Sequence, residues 1–198
     1  MSTSESPFES GLAAKSYHHG DLRAALIEAG LALLEARAAD DLGLREVARA
    51  VGVSPTAIYR HFPDKRALMV ALAEEGLARL ATAQRAASEA AGGGVAGFSA
   101  TGAAYVRFAR ANPALFRLIF ANSGKADLLA GQPEDEAFAF LRANATALAT
   151  EVGGDAQVVA LQAWAIAHGL AMLMLDGQVT VDDGLIDRVV DAGMIGKT

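Results

Sequence analysis

The chain has 198 residues, of which 53% are hydrophobic, only 6% aromatic and none cysteine, and its net charge is −6. That length buries a sizeable core, and the alanine- and leucine-rich, aromatic-poor balance favours helices over sheets. The lack of cysteine excludes disulfides, thiolate nucleophiles, cysteine-ligated zinc and iron–sulfur clusters.

The first sixteen residues, MSTSESPFESGLAAKS, read as a flexible tail: they lack the basic start and apolar run of a secretory signal. From Asp21, the spacing of Leu22, Leu26, Ala29 and Leu33 predicts a first helix, with Asp21 available as its N-cap and the run AADDLG closing it. Val47, Ala48 and Val51 recur on one face of a short second helix that ends at Gly52. Ser54 then caps a third helix of about two turns, with Pro55 at its first position, and Pro63 stops it. Asp64 caps a long fourth helix that reaches the glycines at 92 to 94.

Beyond those glycines, two helices divide at Asn112-Pro113, with Asn112 expected as the cap of the second. SGKADLLAGQPED reads as a loop. Helices follow over roughly 134–151 and 155–175, broken at Gly153-Gly154, and a last short one spans about 183–194. The stretch LQAWAIAHGLAMLML is interrupted by Gln162 and His168 and ends at Asp176, so no run of roughly 18 apolar residues is expected to cross a bilayer. A soluble, cytoplasmic protein with no membrane partner is predicted, and the sequon Asn144-Ala145-Thr146 is read as chance. With no repeat and no strand, the expected fold is all-α: a three-helix head joined by the fourth helix to a larger bundle.

The charge is unevenly spread. Between residues 44 and 66, five basic groups (Arg45, Arg49, Arg60, Lys65, Arg66) face two acidic ones (Glu46, Asp64), a local balance of +3, while both flanks are acidic. This is where electrostatics places a phosphate contact. Ala48 is small where the second and third helices cross, Gly52 makes the turn four residues later, and Val47, Val51, Val53 and Ile58 fill inward positions. Ser54, Pro55, Thr56, Ala57, Tyr59, Arg60 and His61 are left facing outward from a short helix, which is the pattern of a helix-turn-helix.

LREVARAVGVSPTAIYRHFPDKRALMVAL resembles the DNA-binding head of TetR-family transcriptional regulators, and YHHGDLRAALIEAGLALLE extends the match to residues 17–75. The geometry and the resemblance together imply the roles. Arg60 reads guanine in the major groove, Thr56 and Ala57 touch base edges, Tyr59 and His61 hold phosphates, and Lys65 and Arg45 meet phosphates at the starts of helices four and two. Alternatives stay open: Tyr59 as a plug in the head's core, and Arg66 paired with Glu74 or Asp64. Tyr17 and His18 resemble an arm that contacts the backbone of DNA. The implied organisation is a tail (1–16), a helix-turn-helix domain (17–64), a connecting helix (65–91) and a ligand-binding and dimerisation domain (92–198).

The helix 155–175 is apolar on two stripes, one of Val158, Leu161, Ala165, Gly169 and Met172, the other of Trp164, His168, Ala171 and Leu175. One stripe faces its own bundle and the other pairs with a second copy, so a homodimer reading a palindromic site is expected. WAIAHG at 164–169, with YVRFARANPALFRLIF, resembles a TetR C-terminal subgroup marked by a Trp, His, Gly pattern. That resemblance implies a small, often hydrophobic effector between the bundle helices, with Tyr105, Phe108, Phe116, Phe120, Trp164 and His168 as candidate lining; the competing reading makes these aromatics core and His168 a hydrogen-bonded core residue. Helix four is the expected lever between bundle and head.

No cofactor or metal is implied. Gly92, Gly94 and Gly97 match GxGxxG but follow a helix, and there is no HExxH or nucleophile elbow. The sequence therefore predicts a non-enzymatic, DNA-binding regulator, a repressor by the family's usual mode, released by a small molecule. A helical small-molecule-binding dimer without specific DNA binding is the alternative.

Overall fold

A computed structural model of the chain describes residues 21–36, 38–122 and 136–195, and the regular structure among them is all helical. In chain order it comprises α1 (Asp21–Leu34), α2 (Leu44–Val51), α3 (Pro55–Tyr59), α4 (Lys65–Ala90), α5 (Gly94–Ala111), α6 (Pro113–Asn122), α7 (Glu136–Val152), α8 (Ala156–Leu175) and α9 (Asp183–Val189), with 3-10 turns at Ala39–Asp41 and Ala192–Met194. The expected arm at Tyr17 and His18 and the loop at 123–135 lie outside the described residues.

Local chemistry sets the boundaries. Gly52 ends α2 at φ 77°, a conformation that costs glycine nothing. The Ser54 hydroxyl accepts from Ala57 N–H at 3.3 Å with Pro55 at the first position, and Asp64 Oδ1 accepts from Ala67 N–H at 2.8 Å to start α4. α3 is shorter than two turns, because the chain leaves the helix at Arg60 and His61 ahead of Pro63. Asn112 does not cap α6 with its side chain. Its Nδ2 donates back to Phe108 O at 3.1 Å, closing the end of α5, and only its backbone oxygen starts α6, by accepting from Phe116 N–H at 2.8 Å.

The head's core is built from Leu26 and Leu34 of α1, Val47 and Ala48 of α2, Ile58 of α3, Phe62, and Leu68 and Leu72 of α4, all buried. α6 completes it: Leu115, Leu118 and Ile119 belong to the same cluster. Gly76 makes the crossing possible, because a Cβ there would sit 2.7 Å from Leu115 Cδ1. Phe116 of α6 points instead into a second cluster with Leu80, Tyr105, Val106, Leu170 and Ile186. A third gathers Phe98, Leu148, Val159 and Ile195. Asp183 fastens α9 to α5 by accepting from Arg110 and Arg107 at 2.7 and 3.1 Å; these two bonds, Arg110's foremost, hold its carboxyl below the ordinary range.

α8 corrects one expectation. By length and composition it is long and apolar enough to cross a membrane despite Gln162 and His168. Its Ala167, Leu170 and Ala171 nevertheless pack into the bundle. The opposite stripe stands open: Val158, Leu161 and Leu173 are 51%, 46% and 42% exposed, Ala165 is exposed, and among the described residues nothing lies within 4 Å of a Cβ placed on Gly169. Alongside it α7 presents the exposed small residues Ala139, Ala143 and Ala147.

Candidate nucleic-acid interface and effector cavity

Two sites share this scaffold. In the head, Ile58 anchors α3 inward with no exposure while Ser54, Pro55, Thr56, Tyr59 and Arg60 are exposed and Ala57 and His61 half-buried. The core plug is Phe62, 1% exposed; Tyr59 is 45% exposed and therefore free of that duty. The outer edge of α3 and the Arg60 that caps its end thus present hydroxyl, methyl, phenol and guanidinium groups, a mixture suited to base edges and phosphates.

The surrounding charge is less uniform than the sequence suggested. Arg45, Arg49 and Arg66 are exposed beside α3. Lys65, expected to meet a phosphate, donates from Nζ to the Asp40 carbonyl at 2.6 Å, so it ties α4 to the 3-10 turn with one of its three N–H donors. Ser54 likewise gives its hydroxyl oxygen to the α3 cap. Sequence reading missed Arg23, whose guanidinium lies 5.4 Å from the centroid of the Phe62 ring, a cation–π seat that adds a positive group to the head. The signal was present, since Arg23 stands one residue after an inward-facing Leu22.

Below α6 lies a cavity of about 50 Å³, measured to the centres of water-sized spheres. Of the six residues expected to line it, Tyr105, Phe120 and Trp164 do. Phe116 is fully buried behind them, and Phe108 packs between the first two clusters. His168 also stands behind the wall: its Nδ1 is 2.8 Å from the Tyr105 hydroxyl, and its ring stacks on Trp164 at 5.2 Å and 25°. It is both the hydrogen-bonded core histidine and the support of the aromatic wall. The lining that sequence reading did not choose includes Gln84 and Thr101. A polar residue on an apolar stripe, as Gln84 is after Leu77 and Leu80, is the signal that could have found them.

Burial sets the protonation of the pair. Desolvation pushes the Tyr105 hydroxyl far above its ordinary value and lowers His168 below 6.5. Both are neutral at pH 7, so one proton is shared in the bond between the hydroxyl and Nδ1, its direction set by the imidazole tautomer. The Trp164 N–H lies close enough to draw the tyrosine slightly back down, yet it is buried and completes no well-formed hydrogen bond. Every described residue lining the cavity is uncharged.

Comparison with known proteins bears on both sites. Residues 26–72 match the sequence model of bacterial regulatory proteins of the tetR family, and residues 98–194 match that of the tetracyclin repressor-like C-terminal domain. A protein of unknown function from Rhodococcus sp. RHA1 is 35% identical in sequence, with a TM-score of 0.72, 90% of this chain and 94% of that one being covered. A proposed transcriptional regulator from Pseudomonas aeruginosa PAO1 is 23% identical over 91% of this chain and 92% of its own, TM-score 0.65. A TetR-family transcriptional regulator from Streptomyces coelicolor is 20% identical over 88% and 79%, TM-score 0.63. At those identities the last two bear on the fold alone.

Proposed function

This chain belongs to the TetR family of bacterial regulatory proteins, which makes it a DNA-binding transcriptional regulator, and from that premise we propose a homodimeric repressor that binds a palindromic operator and leaves it when a small hydrophobic molecule enters the cavity below α6. The observation that carries the proposal is the outward edge of α3, whose polar residues are exposed while Ile58 and Phe62 fill the core. Arg60 reads a guanine, Thr56 and Ala57 touch neighbouring base edges, and Tyr59, His61, Lys65 and Arg45 hold phosphates. Such a regulator works in the cytoplasm and catalyses nothing.

Two copies meet through the open stripe of α8 and the small-residue face of α7, and their α3 helices then lie about one helical turn of DNA apart. The head (17–64), connecting helix (65–91) and effector domain (92–198) divide the labour. α6 joins α4 in coupling them, since one of its faces packs in the head's core and another borders the cavity.

The test is selection of bound duplexes from a random pool, followed by anisotropy titration of the selected site. A palindrome should emerge. Arg60→Ala should relax preference at one position per half-site, costing about 1–3 kcal/mol there, whereas Lys65→Ala should weaken all sequences together and lower the salt slope by about one per protomer. No salt-sensitive binding to any duplex would leave a helical small-molecule-binding dimer in its place.

A further inference from the structure

We propose that the cavity selects a small, neutral, mostly apolar molecule carrying one hydrogen-bond acceptor, such as a ketone or ester carbonyl, and that the acceptor takes the indole N–H of Trp164. This deepens the effector role proposed above and rests on it.

Size comes first. About 50 Å³ to sphere centres corresponds to roughly three or four waters, room for a single ring and a short substituent before the walls must move. Charge comes second. Among the described residues no lining residue carries one, His168 is held neutral by burial, and Tyr105 is held un-ionised, so a carboxylate or an ammonium would enter without a counter-ion from them and lose its hydration. A cation could seek an aromatic face instead, but the ring of Trp164 is already stacked on His168 at 5.2 Å and met by the edge of Phe138 at 6.1 Å and 70°.

Hydrogen bonding comes third. The Tyr105 hydroxyl is engaged with His168 Nδ1 at 2.8 Å, and the Thr101 hydroxyl is spent on Gly97 O at 2.8 Å. The Trp164 N–H is a buried donor that completes no well-formed hydrogen bond among the described residues. A wholly apolar guest leaves it unpaired, whereas a carbonyl satisfies it. Gln84, also buried, is a further polar residue of the lining.

Trp164 is the single tryptophan of the chain, so its indole N–H gives one resonance in a proton–nitrogen correlation spectrum. The full-length protein is titrated with four molecules of nearly one shape: acetophenone, α-methylstyrene, benzoate and 1-phenylethylammonium. Affinities are measured by calorimetry and the resonance is followed in parallel. The ketone should bind about tenfold tighter than the alkene, the gain of one buried hydrogen bond over an unpaired donor, and should shift the indole proton downfield as the alkene does not. Trp164→Phe should erase the preference of ketone over alkene.

Tightest binding by benzoate or the ammonium, equal binding of ketone and alkene, or no binding by any of the four overturns the assignment, and the wild-type resonance decides it even if Trp164→Phe fails to fold. The selected duplex separates this from the regulatory reading. Ketone binding with the downfield shift, but without release of the duplex, upholds the chemical class and sinks the effector role.

Discussion

Replacing Leu161 by glutamate should split the dimer and abolish operator binding. In the single chain Val158, Leu161 and Leu173 remain 51%, 46% and 42% exposed. Full burial of such a side chain is worth about 1.5–3 kcal/mol, so covering the half still open returns about 1 kcal/mol each. Three residues on two copies give about 6 kcal/mol, of which the two Leu161 side chains hold about 2. Glutamate removes that share and brings two carboxylates to a face where α8 has no charged residue to pair with them. Desolvating them adds about 2–4 kcal/mol, for a total near 4–6 kcal/mol, or a dimer weakened about 10³- to 10⁴-fold. Sedimentation velocity over a wide concentration range reads this directly. Gln178→Glu, the same charge on the exposed turn after α8, serves as control. The monomeric variant should keep its helical circular dichroism, and the salt slope of its residual DNA binding should fall to about half. Unchanged self-association in Leu161→Glu refutes the placement of the interface on this stripe.

Gly76→Ala gains about 1 kcal/mol of helix propensity but places a Cβ 2.7 Å from Leu115 Cδ1 and 3.1 Å from Ile119 Cδ1. Overpacking costs about 1–3 kcal/mol, so the melting temperature should fall by up to about 8 °C; a rise would show that α6 does not pack there. His168, lowered by burial, gives a pH signature with a definite sign. Between its depressed folded value and the ordinary 6.5, the unfolded chain holds the proton and the folded chain does not. Stability from this group therefore rises with pH through that window and levels off above it. The melting difference between wild type and His168→Gln should grow from pH 5 to about 6.5 and then flatten, and a difference constant in pH removes the histidine from that buried bond.

The head was legible because its determinants are local. Ala48, Gly52, Ser54-Pro55 and Asp64 each act within four residues of themselves, and all four behave in the structure as their spacing required. What escaped was tertiary or two-sided. Asn112 can donate as well as accept, so an amide expected to open α6 turns back to close α5. Lys65 finds Asp40, twenty-five positions earlier, a partner no periodicity announces. The aromatics of 105–120 were visible as a group, but their division into wall and filling was not, since Phe116 and Phe120 differ by one helical turn and their burial depends on what α8 and α4 bring opposite.

The helix PALFRLIFAN explains why the coupling proposed above, which α6 shares with α4, lay beyond sequence reading. Nearly every position is apolar, so no polar face marks which way it points. In the structure Leu115, Leu118 and Ile119 fill the head's core while Phe116 and Phe120 lie roughly a third of a turn round, one in the bundle core and one on the cavity wall. Interiors packed like crystals shift between discrete arrangements rather than yield. A guest that displaces Phe120 must therefore move a helix of ten residues as a unit, and Gly76 leaves α4 no slack to absorb that motion. The required push is modest. The acidic flanks of the chain already oppose the polyanion that the basic island attracts, and each 1.4 kcal/mol by which a ligand prefers the displaced arrangement lowers operator occupancy tenfold.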